Sequence, residues 1–474
     1  MCAESRLFLV AALLACAVAL NLQADDSETE SEVDSKTSYY RDIRPIFQAN
    51  CQGCHQPAKQ GGEYVMTNFA SLVAGGESGD AAIVPSNSGE SNLVALVTPV
   101  DGKAEMPRGK KPLNEGEIAL IRKWIAEGAS DDSPVSTRPQ YDMEHPPDYP
   151  APPVITSLDY SSDGQWLAVS GYHEVVLHRA DGSGVAARLV GQSERIESAV
   201  FSPDGKRLAV TGGSPGRMGE LQIWDVEKRE LKMSLAIGYD TIYGASWSHD
   251  GKLVAVGCPD TSVLAFDSET GEQELFNGAH DDWVLDTVFS VKSDHLITVG
   301  RDRSMKLIKV ETQRFVDNIT SITPGALKGG INAVDRHPTK DELLVGGADG
   351  VPKIYQMLRT RPRQIGDDFN LIQPVFSAMP GRIFDVKFSA NGEQVVAGSS
   401  FDGIGHLHVY NVSDRKLITQ VKIPQGGIFA VTFSHDGKQV ASGGFDGYVR
   451  IHDATTGTLI KEFTPVEMAE VNGK

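Results

Sequence analysis

Cysteine is scarce in this chain, five among 474 residues. Cys2 and Cys16 fall within an apolar leader, so the mature chain would keep Cys51, Cys54 and Cys258, too few for a disulfide framework. A long apolar run is also missing. Leu7 to Leu20 is too short to cross a bilayer comfortably, and it lies where an export signal would. Residues 1–24 therefore read as a removed signal peptide that leaves no transmembrane helix. A lipoprotein modified at Cys16 is the weaker alternative, because the chain stays apolar through Leu20. Basic residues are outnumbered, 44 against 63 acidic, for a formal charge of -19. That excludes nucleic acid as a partner, since phosphate binding needs clustered Lys and Arg.

Glycine (48) and proline (24) are plentiful, which favours turn-rich β structure over a long helical protein. The length predicts at least two folded units. Residues 25–36 carry six acidic side chains and almost nothing apolar, a flexible tether. A first domain is predicted over 37–130. Ser38 to Asn50 reads as a helix in which Pro45 marks a bend or first turn, with Ile43, Ile46 and Phe47 at helical spacing. A later helix has Asn114 as cap, Glu117 closing a capping box, an Ile118, Ile121, Ile125 stripe and Gly128 past its end. A proline-rich linker is expected over 131–152, then a repeat region over 153–464 and a tail over 465–474.

Within the repeat region one unit recurs seven times. Its starts are Ile155-Thr156-Ser157, Ile196-Glu197-Ser198, Ile242-Tyr243-Gly244, Val284-Leu285-Asp286, Ile331-Asn332-Ala333, Ile383-Phe384-Asp385 and Ile428-Phe429-Ala430. The spacing is that of a four-stranded blade, roughly 40–50 residues. Asp163-Gly164, Asp204-Gly205, Asp250-Gly251, Asn391-Gly392 and Asp436-Gly437 supply hairpin turns that tolerate positive φ. The units resemble degenerate WD40 repeats: Trp224-Asp225 is the one full Trp-Asp pair, with Phe266-Asp267 and His452-Asp453 as variants. The resemblance implies that His280, Thr298 and Asp302 form a scaffold network.

Cys51-Gln52-Gly53-Cys54-His55 is the strongest chemical signal. Two thiols one helical turn apart can add to the two vinyl groups of a haem, and the adjacent histidine can reach its iron. The competing readings are a disulfide, a thioredoxin-like pair and half a zinc site. Zinc would need ligands that do not appear before His145, and a thioredoxin motif needs a βαβ context that is absent.

The segment from Tyr40 to Ala129 resembles class I cytochromes c, and specifically the planctomycete type. The resemblance rests on Asp42-Ile43-Arg44-Pro45-Ile46, Gly75-Gly76, Ile83-Val84-Pro85, Met106-Pro107, Trp124-Ile125 and Gly128-Ala129. It implies a small all-α haem domain, often fused to a WD40 propeller. It also implies one haem c held by Cys51 and Cys54, with His55 as proximal and Met106 as distal iron ligand. Met66, His145 and a plain core role for Met106 are the rivals.

The fold class expected is therefore multidomain: a small all-α class I-like cytochrome c domain followed by an all-β, seven-bladed WD40-like propeller. The function expected is that of an exported, periplasmic or otherwise extracytoplasmic carrier of single electrons, its propeller docking protein partners. Arg108, Lys110 and Lys111 would steer an acidic redox partner. Two alternatives are a haem-fed propeller oxidoreductase of the cytochrome cd1 kind and a haem-based sensor on an interaction scaffold. His406 and His408 share one face of a strand and read as a sheet-surface pair, His249 and His435 as exposed turn residues, and Cys258 as a small apolar filler. The oligomeric state and the partners' identities are not legible here.

Overall fold

The computed structural model describes residues 36–56, 59–67, 69–133, 141–321, 323, 328–362, 364, 366 and 368–468. The expected signal peptide, nearly all of the acidic tether, Cys2, Cys16, Pro134, Pro139 and the tail from 469 lie outside them. The described chain is mostly β, preceded by a small helical region.

Where one helix was expected over Ser38 to Asn50, a turn of π-helix at Tyr39–Ile43 feeds an α-helix, α1, at Arg44–Asn50. Ser38 caps the entry by accepting the Arg41 N–H, and Pro45 sits in the first turn of α1, where its missing N–H costs nothing. Two six-residue helices that the sequence reading did not anticipate follow, α2 (Phe69–Ala74) and α3 (Asn92–Val97). The last helix, α4 (Glu115–Ala126), has the expected reciprocal box: Asn114 accepts the Glu117 N–H, and Glu117 accepts the Asn114 N–H, both at 2.9 Å. Its buried stripe of Ile118, Ile121 and Ile125, with Trp124, packs on Ile43 and Phe47. The Trp124 ring stacks on Tyr39 at 5.4 Å, and its indole N–H reaches the Ser130 carbonyl. This core backs the cysteine motif.

The β region is a succession of antiparallel sheets whose strands follow chain order. The first has seven strands, from Leu158–Tyr160 to Glu230–Ala236, and contains one 17-residue strand, Val185–Phe201. Four-stranded sheets follow over 243–277, 284–318, 382–423 and 428–463, and a three-stranded sheet over 331–356. Strand interiors such as Leu208–Val210, Val254–Val256 and Val395–Ala397 are almost wholly inaccessible, because both sheet faces are covered.

The first strand of every unit after the first carries the same bulge, as between Ile331 and Ala333, Ile383 and Asp385, and Ile428 and Ala430. Side chains just beyond it tie consecutive units together. Ser157 Oγ accepts the Ala199 N–H at 2.9 Å, Asp286 the Val334 N–H at 2.9 Å and Asp335 the Phe388 N–H at 2.7 Å. The two ends of the array also meet, with the Ile155 N–H on the Gly444 carbonyl and His178 against the Pro465 carbonyl, both at 2.9 Å. The end of the proline-rich stretch is fastened to the first sheet: Glu174, fully buried, accepts from Tyr149 and from both arms of the Arg188 guanidinium.

Candidate cofactor site

The cysteine motif begins at the C-terminal end of α1 and turns tightly, the Cys54 and His55 N–H groups both donating to the Cys51 carbonyl. The chain then doubles back, so that the Met66 N–H donates to the His55 carbonyl at 2.9 Å and Gln52 Nε2 to the Met66 carbonyl at 2.9 Å. Gly76 closes this loop. A β-carbon there would lie 2.2 Å from the Gly62 carbonyl oxygen, so the backbones at 62 and 76 touch directly and the Glu77 N–H donates to that oxygen.

These residues open onto a cavity of about 480 Å³, a size suited to a cofactor, since ligand pockets span roughly 300–1,000 Å³. Cys51, Cys54, His55, Met66 and Met106 all line it, with Tyr64, Leu93, Leu96 and Val97 as its apolar wall and Arg108 and Lys110 also among its lining. The sequence reading missed the wall. Its only signal was the apolar run Leu93-Val94 and Leu96-Val97 on α3.

The His55 ring stands edge-on to Tyr64 at 5.4 Å, and its buried Nδ1 has no hydrogen-bond partner among the described residues. Burial lowers the imidazole's affinity for a proton, opposed by the nearby Tyr64 and Gly61 carbonyls, so the ring is held neutral and able to ligate. Burial pushes the Cys51 thiol up to about 12, with Lys110 pulling the other way. Cys51 is thus a neutral thiol within the cavity, and Cys54 is exposed at its edge. Two thiols, a neutral imidazole and a thioether around an apolar cavity fit a covalently held haem. Among the described residues no group of three or more His, Cys, Asp or Glu is placed to hold a bare metal ion.

Of the two methionines, Met66 is 1% exposed and locked in the core, whereas Met106 packs on it from a partly exposed loop. His145 stands exposed, 3.1 Å from Asp142, and is not among the residues lining the cavity. In the β region, His280 bridges Asp302 (2.9 Å) and Thr298 (2.7 Å), as the WD40 resemblance implied. The expectation of a sheet-surface pair at His406 and His408 is corrected: both are buried, and His408 Nδ1 lies 2.9 Å from the Tyr410 hydroxyl. His249 and His435 are exposed in turns and Cys258 is buried.

Comparison with known proteins finds two family models. "Planctomycete cytochrome C" matches residues 51–109 and "WD domain, G-beta repeat" matches 415–453. The chain carries a cytochrome-like segment and WD40 repeats. Among curated proteins it is similar to eukaryotic translation initiation factor 3 subunit I of Aspergillus oryzae, 26% identical over 63% of this chain and 78% of that one. The Coccidioides immitis protein of that name gives the same three figures (26%, 63% and 78%), and the Kluyveromyces lactis one is 23% identical over 57% and 68%.

These names overturn the expected function. The relatives that share most of the chain are named as subunits of a translation initiation factor, and nothing in those names speaks of electron transfer, export or a periplasm. The exported single-electron carrier, its oxidoreductase and sensor alternatives, the redox partner and the extracytoplasmic location are therefore withdrawn. The cysteine motif lies in a minor part of the chain, and the repeat region makes up most of it.

Proposed function

We propose that this chain is a protein-assembly module: a seven-bladed WD40 propeller that binds other proteins, spanning 153–464. The observation that carries this reading is the self-tied repeat array in a chain whose curated relatives are named as subunits of a multisubunit factor. The bond from Ile155 to Gly444 supports ring closure, and Val185–Phe201 would supply the outer strand of one blade and the inner strand of the next, a reading under which the six sheets make seven blades. The test is the native mass of the full-length protein in the cells that make it, by sizing and crosslinking. A discrete complex well above 51.0 kDa is expected, and a monomer at all concentrations overturns the reading.

The cavity favours a second element of the same reading, that the domain over 37–130 holds one haem c. Cys51 and Cys54 would each add across a vinyl double bond, sulfur joining one carbon and the thiol proton the other, with no oxidant consumed. His55 would ligate the iron through its neutral imidazole, and Met106 would be its second protein ligand. Bound haem would supply an iron of variable valence, tuned by those ligands and by burial. Expression in a host that matures c-type cytochromes should give one haem per chain that resists acidified organic solvent. Cys51→Ala with Cys54→Ala should release it, and freely extractable haem in the wild type overturns the assignment.

A further inference from the structure

Resting on the reading of the β region as a protein-assembly propeller, we propose that Phe384, Phe401, Phe429 and Phe445 form the docking face for an apolar segment of a partner protein that also carries a lysine or arginine.

Four phenylalanines occur at two equivalent positions in two consecutive repeats, and the fold requires them at neither. At the second position of the repeat starts the other units have Thr156, Glu197, Tyr243, Leu285 and Asn332. At the hairpin tips, Phe401-Asp402-Gly403 and Phe445-Asp446-Gly447 correspond to Arg301-Asp302-Arg303 and Ala348-Asp349-Gly350 elsewhere. The Asp and the following residue serve the turn, where Asp402 (φ 49°), Gly403 (φ 73°) and Gly447 (φ 73°) adopt left-handed backbone. The aromatic before them serves nothing local: Phe401 is 59% and Phe445 65% exposed.

Two of the rings touch, and the backbones that carry the other two lie against the same segment. Phe384 and Phe429 meet at 4.9 Å. The Phe445 N–H donates to the Gly427 carbonyl, two residues before Phe429, and a β-carbon on Gly427 would touch Ser400, the neighbour of Phe401. Val154, 42% exposed, extends the patch beside Ile155, whose N–H bonds Gly444. Contiguous exposed apolar surface of this kind marks interaction sites.

Charge identifies the occupant. Asp385 directly follows Phe384, and its carboxylate shares a cluster with Asp159, Asp286 and Asp335 around one cation, Lys387. The aspartates of this cluster outnumber its lysine and place acidic groups next to Phe384. A cationic side chain amid leucine-like neighbours complements both features, whereas an acidic segment is repelled.

The test offers a positional-scanning peptide library to the full-length protein, to a Phe401→Ser/Phe445→Ser variant and to Asp385→Asn. Both phenylalanines are solvent-exposed, so the double variant should melt as wild type does. Enrichment of apolar residues beside Lys or Arg is expected, reduced about tenfold or more by the double serine variant. Asp385→Asn should remove the preference for Lys and Arg while keeping the apolar one. No enrichment, enrichment of acidic peptides, or equal enrichment by the double variant overturns the proposal. If the native complex persists in the double variant, the assembly reading stands and this face is not its interface; if the wild type forms no complex, the assembly reading itself has failed.

Discussion

Asp385 Oδ2 accepts the backbone N–H of Val431 at 2.9 Å across the seam between two consecutive sheets. Asp286 makes the same bond to Val334, Asp335 to Phe388 and Asp159 to Phe201. Burial works against the charge of Lys387, yet the fields of Asp385, Asp335, Asp286 and Asp159 hold its ammonium well above the usual lysine range. The seams are thus linked through a single cation.

One consequence is an inverted pH response. Burial pushes Asp159 up to about 6 and Asp286 up to about 7, with Lys387 opposing. A carboxyl raised above its unfolded value, about 3.9, stabilises the fold fully below that value and loses its contribution as pH rises through the folded one. The β region should therefore lose on the order of 1–2 kcal/mol between about pH 5 and pH 8, after allowing for solvent screening. Urea unfolding across that range checks it, and Asp286→Asn should flatten the slope.

Removing the cation should cost more than protonation relieves. Lys387→Met leaves four carboxyls without a counter-charge, and loss is expected at about 3 kcal/mol, the lower end for breaking a buried pair. The same titration should then steepen, because the remaining aspartates repel without relief. Equal stability of the variant at pH 5 and pH 8 would falsify this account.

His280→Ala removes one side chain from between Asp302 and Thr298 and leaves Asp302 with Ser304 and, at 3.7 Å, Lys306. About 2–3 kcal/mol of destabilisation is expected, the cost of unpairing buried polar groups. Thermal melts that match the wild type would show that the network pins nothing.

The two methionines of the cavity separate by what they disturb. Met66→Ala should cost about 2–5 kcal/mol through the void it leaves in the helical core, with the iron's ligation unchanged. Met106→Ala should melt near the wild-type temperature but lose the weak sulfur-to-iron absorption of the oxidised, haem-loaded protein. The converse result would assign the ligand to Met66.

Much of the helical region was legible because its signals are local. The Asn114 and Glu117 box and the Ile118, Ile121, Ile125 stripe sit within a dozen residues, and both appear as read. The short helices α2 and α3 were not, since six residues hold less than two turns and form only against the core that Leu72 and Val94 enter. Repeat starts and turns were visible from their period. The tie between Tyr149, Glu174 and Arg188 was not, because it joins a proline-rich stretch to a strand through side chains that look solvated in isolation. The cavity's thiols and imidazole were adjacent in sequence; its wall came from α3, some 40 residues on. The chain's function was not legible because a repeat region recognises its partners through side chains that carry no sequence signature.

The strand Val185–Phe201 joins the first two repeats in one seven-stranded sheet, from Leu158–Tyr160 to Glu230–Ala236. The later repeats lie in separate sheets, joined by loops, side chains and single backbone bonds such as those from Ile242 to Gly212 and from Val284 to Cys258. The shared strand makes the first junction the stiffest of the array. Strain imposed by an incoming partner cannot be absorbed there and must be taken up at the softer junctions, among them the one where Phe384 meets Phe429.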